Sequence, residues 1–341
     1  MSPFSGSSAA VPQSGDDWAI EQTHFTSASA MPGMTNRPVA LIDVGDGNGG
    51  LDHPLLRDRT TYVEMRLKRT PIEGYQLHGA HAAEVAGVIA QRCDAKLIVY
   101  DIGTTAGWDE ELFVLALQDI INRDPRPAVV NISVGWGQEV PGAAALIRDC
   151  IEKYGISVVV AMGDDGAFTD IDWYPATQSG VIAVAGTDTN DLPLADSDTG
   201  KHVWIAAPGQ DIITVVAKDE LGTRNGTSFA AAQVSAAVWH AMRSNSGLTP
   251  AKIKQALGDS AVNGQADKLP HGLREKVQDT GWNIAVGKGR LDVAKFLDDV
   301  VGVVRSQPVV VKLADSQPTT PPGDFTVPPS PRSPDSQAPR L

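Results

Sequence analysis

The chain has 341 residues, of which 42% are hydrophobic and 20% charged, so it is long enough and apolar enough for one large globular domain or two small ones. Its 28 Lys+Arg against 41 Asp+Glu leave a net charge of −13, the wrong sign for the basic footprint of a nucleic-acid binder. Two cysteines, Cys93 and Cys150, exclude a disulfide scaffold and a four-thiolate metal site. No run approaches the ~18 apolar residues of a membrane-spanning helix. The start, MSPFSGSSAAVPQSGDDW, lacks the basic and apolar stretches of a secretory signal, so a cytoplasmic protein without a membrane partner is expected.

Residues 1–36 are rich in Ser, Ala, Gly and Pro without periodicity, and the expectation is a flexible arm. A folded domain is expected over 37–300 and a disordered tail over 301–341, whose last 25 residues hold 8 prolines. Such a tail suits a docking ligand for a proline-recognising partner. Between the ends, short β-branched runs stand at 38–43, 96–101, 128–133, 156–161 and 181–186. Runs this apolar suit strands buried on both faces. Helical periodicity fills the gaps at 81–91, 110–122 and 142–154, and alternation of this kind predicts right-handed crossovers and a parallel sheet covered by helices on both sides. Residues 53–77 read as an irregular, charged excursion. SFAAAQVSAAVWHAM, after Thr227, reads as a small-residue helix buried at the centre, and 249–257 and 289–297 as two closing helices, the first with Thr249 as cap and Pro250 behind it.

In sheets of this kind chemistry sits at the carboxyl ends of the strands. Those ends carry Asp43, Asp101, Asn131 with Ser133, and Asp164.

Four segments, in this order and on these elements, resemble the subtilisin-like serine peptidases, the subtilases. VALIDVGDGNGGLDHPLL is similar to the strand and loop bearing the family's triad Asp, and HAAEVAGVIA to the helix that opens with its triad His. VVVAMGDDG is similar to the strand leading to the oxyanion residue, and NGTSFAAAQVSAAV to the nucleophile motif at the head of a buried helix. The resemblance runs from about residue 37 to 300 and implies a three-layer α/β fold with a central parallel sheet. It implies a serine endopeptidase with Asp43, His81 and Ser228 as its triad, and an oxyanion hole from Asp164 and the Ser228 N–H. It implies a protein or peptide substrate held between Ser133, Val134, Gly135 and Trp136 on one side and Ala161, Met162 and Gly163 on the other.

The chemistry needs those groups. A serine hydroxyl is a poor nucleophile near neutral pH and requires an imidazole as base, and a carboxylate must then fix the imidazole's tautomer. His78 competes with His81, since His78-Gly79-Ala80-His81 looks like the family's His-Gly-Thr-His. Choosing His78 inserts three residues before Val85, which displaces the helix by about 4.5 Å and turns it by about 300°. The ungapped register favours His81.

Several positions depart from the pattern. Val44 stands for the usual Ser or Thr after the triad Asp, which leaves that carboxylate with fewer hydrogen bonds. Trp136 stands for a glycine and implies a narrowed groove or an aromatic subsite. Asp164 stands for the oxyanion Asn, with Asp165 beside it as a like charge. These departures motivate an alternative, a pseudo-peptidase that binds peptides without cutting them. The long calcium-binding loop is missing between the His81 helix and 96–101, the carboxylates Asp46, Asp52, Asp196 and Asp198 read as solvated, and neither metal nor cofactor is implied.

Overall fold

Seven parallel strands form one sheet in the order β2-β3-β1-β6-β7-β8-β9. They are β1 (Val39–Asp43), β2 (Thr60–Glu64), β3 (Leu97–Asp101), β6 (Val129–Ile132), β7 (Ser157–Ala161), β8 (Ile182–Thr187) and β9 (Val203–Pro208). In this computed structural model the described residues are 17–25, 36–45, 49–65, 80–104, 107–166, 173–244, 247–262 and 283–306. They lie in a unit that ends at Ser306, and the Pro-rich tail lies outside them.

The sheet buries both faces by alternation. Val39 and Leu41 of β1 point into one core with Val99 of β3, while Ala40 and Ile42 point into the other with Ile98 and Tyr100. Truncating a buried aliphatic side chain in such a core to Ala costs about 2–5 kcal/mol. The first core is completed by helices α2 (His81–Arg92) and α5 (Thr227–Ser244), the second by α3 (Glu110–Asn122) and α4 (Ala143–Arg148). These four helices make the outer layers expected from the strand–helix alternation. The 142–154 stretch is not one helix, however: after Arg148 it widens into a π-turn over Asp149–Lys153.

Helix α5 is the central support. Ala230, Ala231, Ala232, Ala236, Ala237 and Ala241 are all fully buried, so the helix is apolar nearly all round, as a core helix must be. Two of its buried polar side chains are anchored: Ser235 Oγ donates to Asn131 Oδ1 at 2.8 Å, and Gln233 Nε2 to Pro208 O at 2.5 Å. Helix α2 crosses the hairpin of β10 (Ile212–Ala217) and β11 (Glu220–Arg224) at Gly87, where a Cβ would stand 2.9 Å from Val215 N.

Three expectations change. Residues 60–64, read as part of an irregular excursion, form β2, an edge strand paired in register with β3 from Thr60–Leu97 to Glu64–Asp101. The closing helix read at 289–297 begins only at Val293 and runs to Ser306, past the expected domain limit of 300. Its predicted first turn pairs instead with the sheet, Leu291 N–H donating to Ala206 O at 2.8 Å and Ala206 N–H to Gly289 O at 2.9 Å. Within the stretch read as a flexible arm, residues 18–22 form α1 (Trp18–Gln22), capped by Asp17. Asp17 also makes a buried ion pair with Arg92 at 2.9 Å, and Phe25 is 3% exposed. The rest of that stretch, 1–16 and 26–35, lies outside the described residues.

Candidate active site

The end of β1 and the start of α2 bring a carboxylate to an imidazole. Asp43 is completely buried, and its Oδ1 accepts His81 Nδ1–H at 2.6 Å and Val44 N–H at 2.8 Å. Its Oδ2 has no hydrogen-bond partner among the described residues, in line with Val44 carrying no hydroxyl. The strand end is tied to the helix by Ala82 N–H donating to Val44 O at 3.1 Å. A second buried carboxylate, Asp101, faces Asp43 across the β1–β3 register. Asp101 accepts Gly45 N–H at 3.1 Å, Gly103 N–H at 2.8 Å and the Tyr62 hydroxyl at 2.6 Å, so it organises the turn that follows Asp43.

The charges there are coupled. Burial pushes the Asp43 carboxyl above its ordinary range and Asp101 adds to that, while His81 and the Val44 N–H oppose it. Burial alone pulls His81 down, but the Asp43 charge and hydrogen bond outweigh it, with help from Glu84 and Asp164, and hold the imidazole above its ordinary value. The His81 ring leans on Phe229, the residue after Ser228, with ring centres 5.8 Å apart. His78 lies outside the described residues.

The second half of the site is the turn after β7. Gly163 has φ +119°, a backbone state that side chains rarely adopt, and a Cβ there would overlap Asp198 Oδ2. Gly163 N–H donates to Thr227 Oγ1 at 3.2 Å, and Thr227 N–H donates to Asp164 Oδ1 at 2.8 Å. Asp164 thus sits at the N-terminus of α5, where free N–H groups and the helix dipole favour an anion. Asp198, fully buried, holds the turn from behind: its N–H donates to Gly163 O at 3.0 Å and its Oδ1 accepts Asp165 N–H at 3.2 Å. Gly166 N–H donates to Asp196 O at 3.0 Å. Burial raises the Asp164 carboxyl above its ordinary range and Asp198 raises it further, against the Thr227 hydrogen bonds and His81. The like charge that raises Asp164 is thus that of Asp198, a residue 34 positions on.

A cavity of about 540 Å³ joins the halves. His81, Ser228 and Asp164 line it, with Ser133, Val134 and Gly135 from the segment after β6 and Ala161, Met162 and Gly163 from the end of β7. Ser228 is 7% exposed in the first turn of α5, and Ser133 Oγ accepts Asn131 Nδ2–H at 2.9 Å. Trp136 does not line the cavity. Its ring packs on Phe113, centres 4.7 Å apart, because its backbone pairs with Tyr174 and turns the side chain towards α3. The aromatic walls are Trp108, on the two-residue strand β5 (Gly107–Trp108) that pairs with β4 (Gly103–Thr104), and Trp173. Neither was singled out in the sequence, since nothing local marks a tryptophan as facing a cleft, nor was Asp198 read as buried. Asp52 and Asp196 are exposed, Asp46 lies outside the described residues, and among those residues no group of three or more His, Cys, Asp or Glu is placed to hold a metal ion.

Residues 39–289 match the subtilase family. The cell wall-associated protease of Bacillus subtilis (strain 168) is 27% identical over 242 residues, 64% of this chain and 26% of that protein. The major intracellular serine protease of the same organism is 24% identical over 217 residues, 60% of this chain and 67% of that protein. A subtilisin-like protease of Coccidioides posadasii (strain C735) is 36% identical over 227 residues, 63% and 53% of the two chains. The chain thus spans between 26% and 67% of the length of these relatives. Among solved structures, a lanthipeptide protease superposes with a TM-score of 0.66 at 19% identity, covering 83% of this chain and 93% of its own. MycP1 with its N-terminal propeptide removed gives 0.63 at 21% identity, covering 82% and 96%. At these identities the likeness is one of fold.

Proposed function

Because the chain belongs to the subtilase family of serine peptidases, we propose that it is an endopeptidase that cleaves protein or peptide substrates through an acyl-enzyme on Ser228. The observation that carries this reading is the 2.6 Å contact between Asp43 Oδ1 and His81 Nδ1 in a cavity that Ser228 and Asp164 also line. With Nδ1–H held by a buried carboxylate, the imidazole keeps Nε2 unprotonated as a base. Ser228 Oγ attacks the substrate carbonyl and its proton passes to His81 Nε2. The oxyanion is met by the Ser228 N–H and by Asp164 in its protonated form. His81 then returns the proton to the leaving amine, and a water activated the same way hydrolyses the ester.

Two needs oppose each other in this scheme. His81 must be neutral, which requires a pH above its raised pKa, while Asp164 must be protonated, which requires a pH below its own raised pKa. The raised Asp164 value therefore widens the working window from the alkaline side, and the raised His81 value narrows it from the acid side.

The proposal assigns the peptidase domain to residues 37–300, no cofactor, a proline-recognising partner to the C-terminal tail, and a cytoplasmic place of action. Cys93 and Cys150 are buried free thiols, a state that reducing compartments preserve. A fluorophosphonate probe tests the central claim: it is expected to label the protein, with the adduct mapped to Ser228 by mass spectrometry. Labelling at another residue overturns the assignment.

A second reading, a pseudo-peptidase that holds peptides in the same cleft, rests on Asp164 Oδ1 accepting the Thr227 N–H instead of presenting a donor to the cavity. It predicts no probe labelling and retained peptide binding.

A further inference from the structure

Trp173 lies across the cleft between the two segments that line it. If Gly163 bore a Cβ, that atom would stand 2.8 Å from Trp173 Cδ1 and 3.1 Å from its Nε1. A Cβ on Gly135 would stand 3.8 Å from Trp173 Cβ and Cε3, and one on Gly137 4.0 Å from Cζ3. The five-membered ring of the indole therefore rests on the segment after β7, and the six-membered ring on the segment after β6. Space that three bare glycine backbones would otherwise leave open is occupied by one aromatic side chain.

The ring is held there. Tyr174 N–H donates to Trp136 O and Trp136 N–H to Tyr174 O, each at 2.8 Å, and Thr177 N–H donates to Trp173 O at 3.1 Å. The opposite wall is pinned by Trp108 Nε1–H donating to Gly135 O at 2.9 Å. Widening the slot means breaking these bonds. Trp173 Nε1–H is itself buried without an acceptor among the described residues, an arrangement that costs free energy. The ring is kept in place by its packed faces and not by that donor.

From this geometry we infer that Trp173 is a specificity-determining residue: it restricts the residue whose carbonyl Ser228 attacks to a small side chain, that of glycine, alanine or serine. The inference rests on the peptidase reading above. Gly163 immediately precedes Asp164, so a carbonyl placed with its oxygen towards Asp164 carries its own side chain towards Gly163 and the indole lying on it. A methyl or hydroxymethyl group fits beside the ring. A benzyl or isobutyl group overlaps it.

The test uses the full chain and two peptide p-nitroanilides that differ only in the acyl residue, Ala or Phe, with rates expressed per site titrated by a fluorophosphonate. The wild type is expected to favour Ala by roughly 100-fold in kcat/KM, the scale of a pocket that rejects bulk. Trp173→Ala should shift the Phe/Ala ratio towards Phe by more than about tenfold. Trp173→Phe, which keeps an aromatic ring in the slot and removes the outer edge of the indole that reaches Gly135 and Gly137, should move it part of the way even if the Ala variant does not fold. Equal wild-type rates on Ala and Phe, or an unchanged ratio in Trp173→Phe, overturn the inference while probe labelling leaves the peptidase reading standing. A wild type that takes no probe overturns both.

Discussion

Two carboxylates flank the cleft, Asp43 buried beneath it and Asp164 open to it, and their surroundings differ in kind. Asp43 meets the His81 imidazole at 2.6 Å, whereas Asp164 has another carboxylate, Asp198, behind it, with the head of α5 and the more distant His81 to compensate. Burial pushes both carboxyls up, but at Asp43 the imidazole pushes back, and at Asp164 a like charge pushes the same way. The first half of the site is electrically paired, and the second is left to the pH of the solution. A triad works with its proton inventory settled in advance. An oxyanion hole with a carboxyl in it works only in one protonation state of that carboxyl.

The largest effects should come from the paired half. Ser228→Ala and His81→Ala are each expected to lower kcat by on the order of 10⁶, the scale known for loss of nucleophile or base from a subtilisin triad, with folding intact by circular dichroism. His78→Ala, by contrast, should cost no more than about tenfold, since the ungapped register leaves it outside the triad. A His78 variant as inactive as Ser228→Ala would move the base to His78 and dissolve the pairing on which the comparison stands.

Asp43→Asn should fall next, by about 10⁴ in kcat, because an amide at that position can hold the wrong imidazole tautomer. The acid limb of the pH–rate profile should also move down, since the Asp43 charge is what lifts His81 above its ordinary value. If kcat falls but the acid limb stays, Asp43 orients the ring without setting its charge.

How much of this was legible beforehand follows from where the signal lies. Strands β1, β3, β6, β7 and β8 announce themselves because both faces are buried, which leaves unbroken apolar runs. Strand β2 does not: Thr60 to Glu64 sits at the sheet edge with partly exposed side chains, so its composition is that of a loop and only its pairing with β3 makes it a strand. Helix α1 is similarly hidden, since five residues carry too little periodicity, and what orders it is a partner 75 positions away, Arg92. The positions proposed for the triad, Asp43, His81 and Ser228, stand at strand and helix ends next to recognisable motifs. Trp108, Trp173 and Asp198 reach the site from loops and a short hairpin, and their role is set by tertiary contacts that no local pattern encodes.

The unpaired half gives smaller effects of the opposite sign. Asp164→Asn supplies an amide at every pH, and since removing such a donor elsewhere costs about 10²–10³ in kcat, a gain of some tens-fold above pH 7 is expected. The alkaline limb should disappear with it. A flat or lower profile would mean that Asp164 remains protonated through neutral pH or serves the substrate directly, and the contrast between the two carboxylates would then be one of geometry alone.

The smallest effect should be the most diagnostic. Asp198 acts on Asp164 in two ways: it holds the 163–166 turn through Gly163 O and Asp165 N–H, and its charge raises the Asp164 pKa. Asp198→Asn retains an acceptor of the same shape for Asp165 N–H and removes the charge. Asp164 then ionises at a lower pH than in the wild type, so its proton is lost earlier as the pH rises. The alkaline limb should accordingly shift to lower pH, with turnover a few-fold lower near neutrality, while the acid limb, which belongs to His81, stays where it is. Combining it with Asp164→Asn separates the two actions, because residues that work through one another are not additive. In the Asp164→Asn background no carboxyl remains at position 164 to titrate, and Asp198→Asn should leave the pH profile unmoved. A shift of equal size in both backgrounds would show that Asp198 acts through the backbone turn alone, and that the second half of the cleft owes nothing to the repulsion between its two carboxylates.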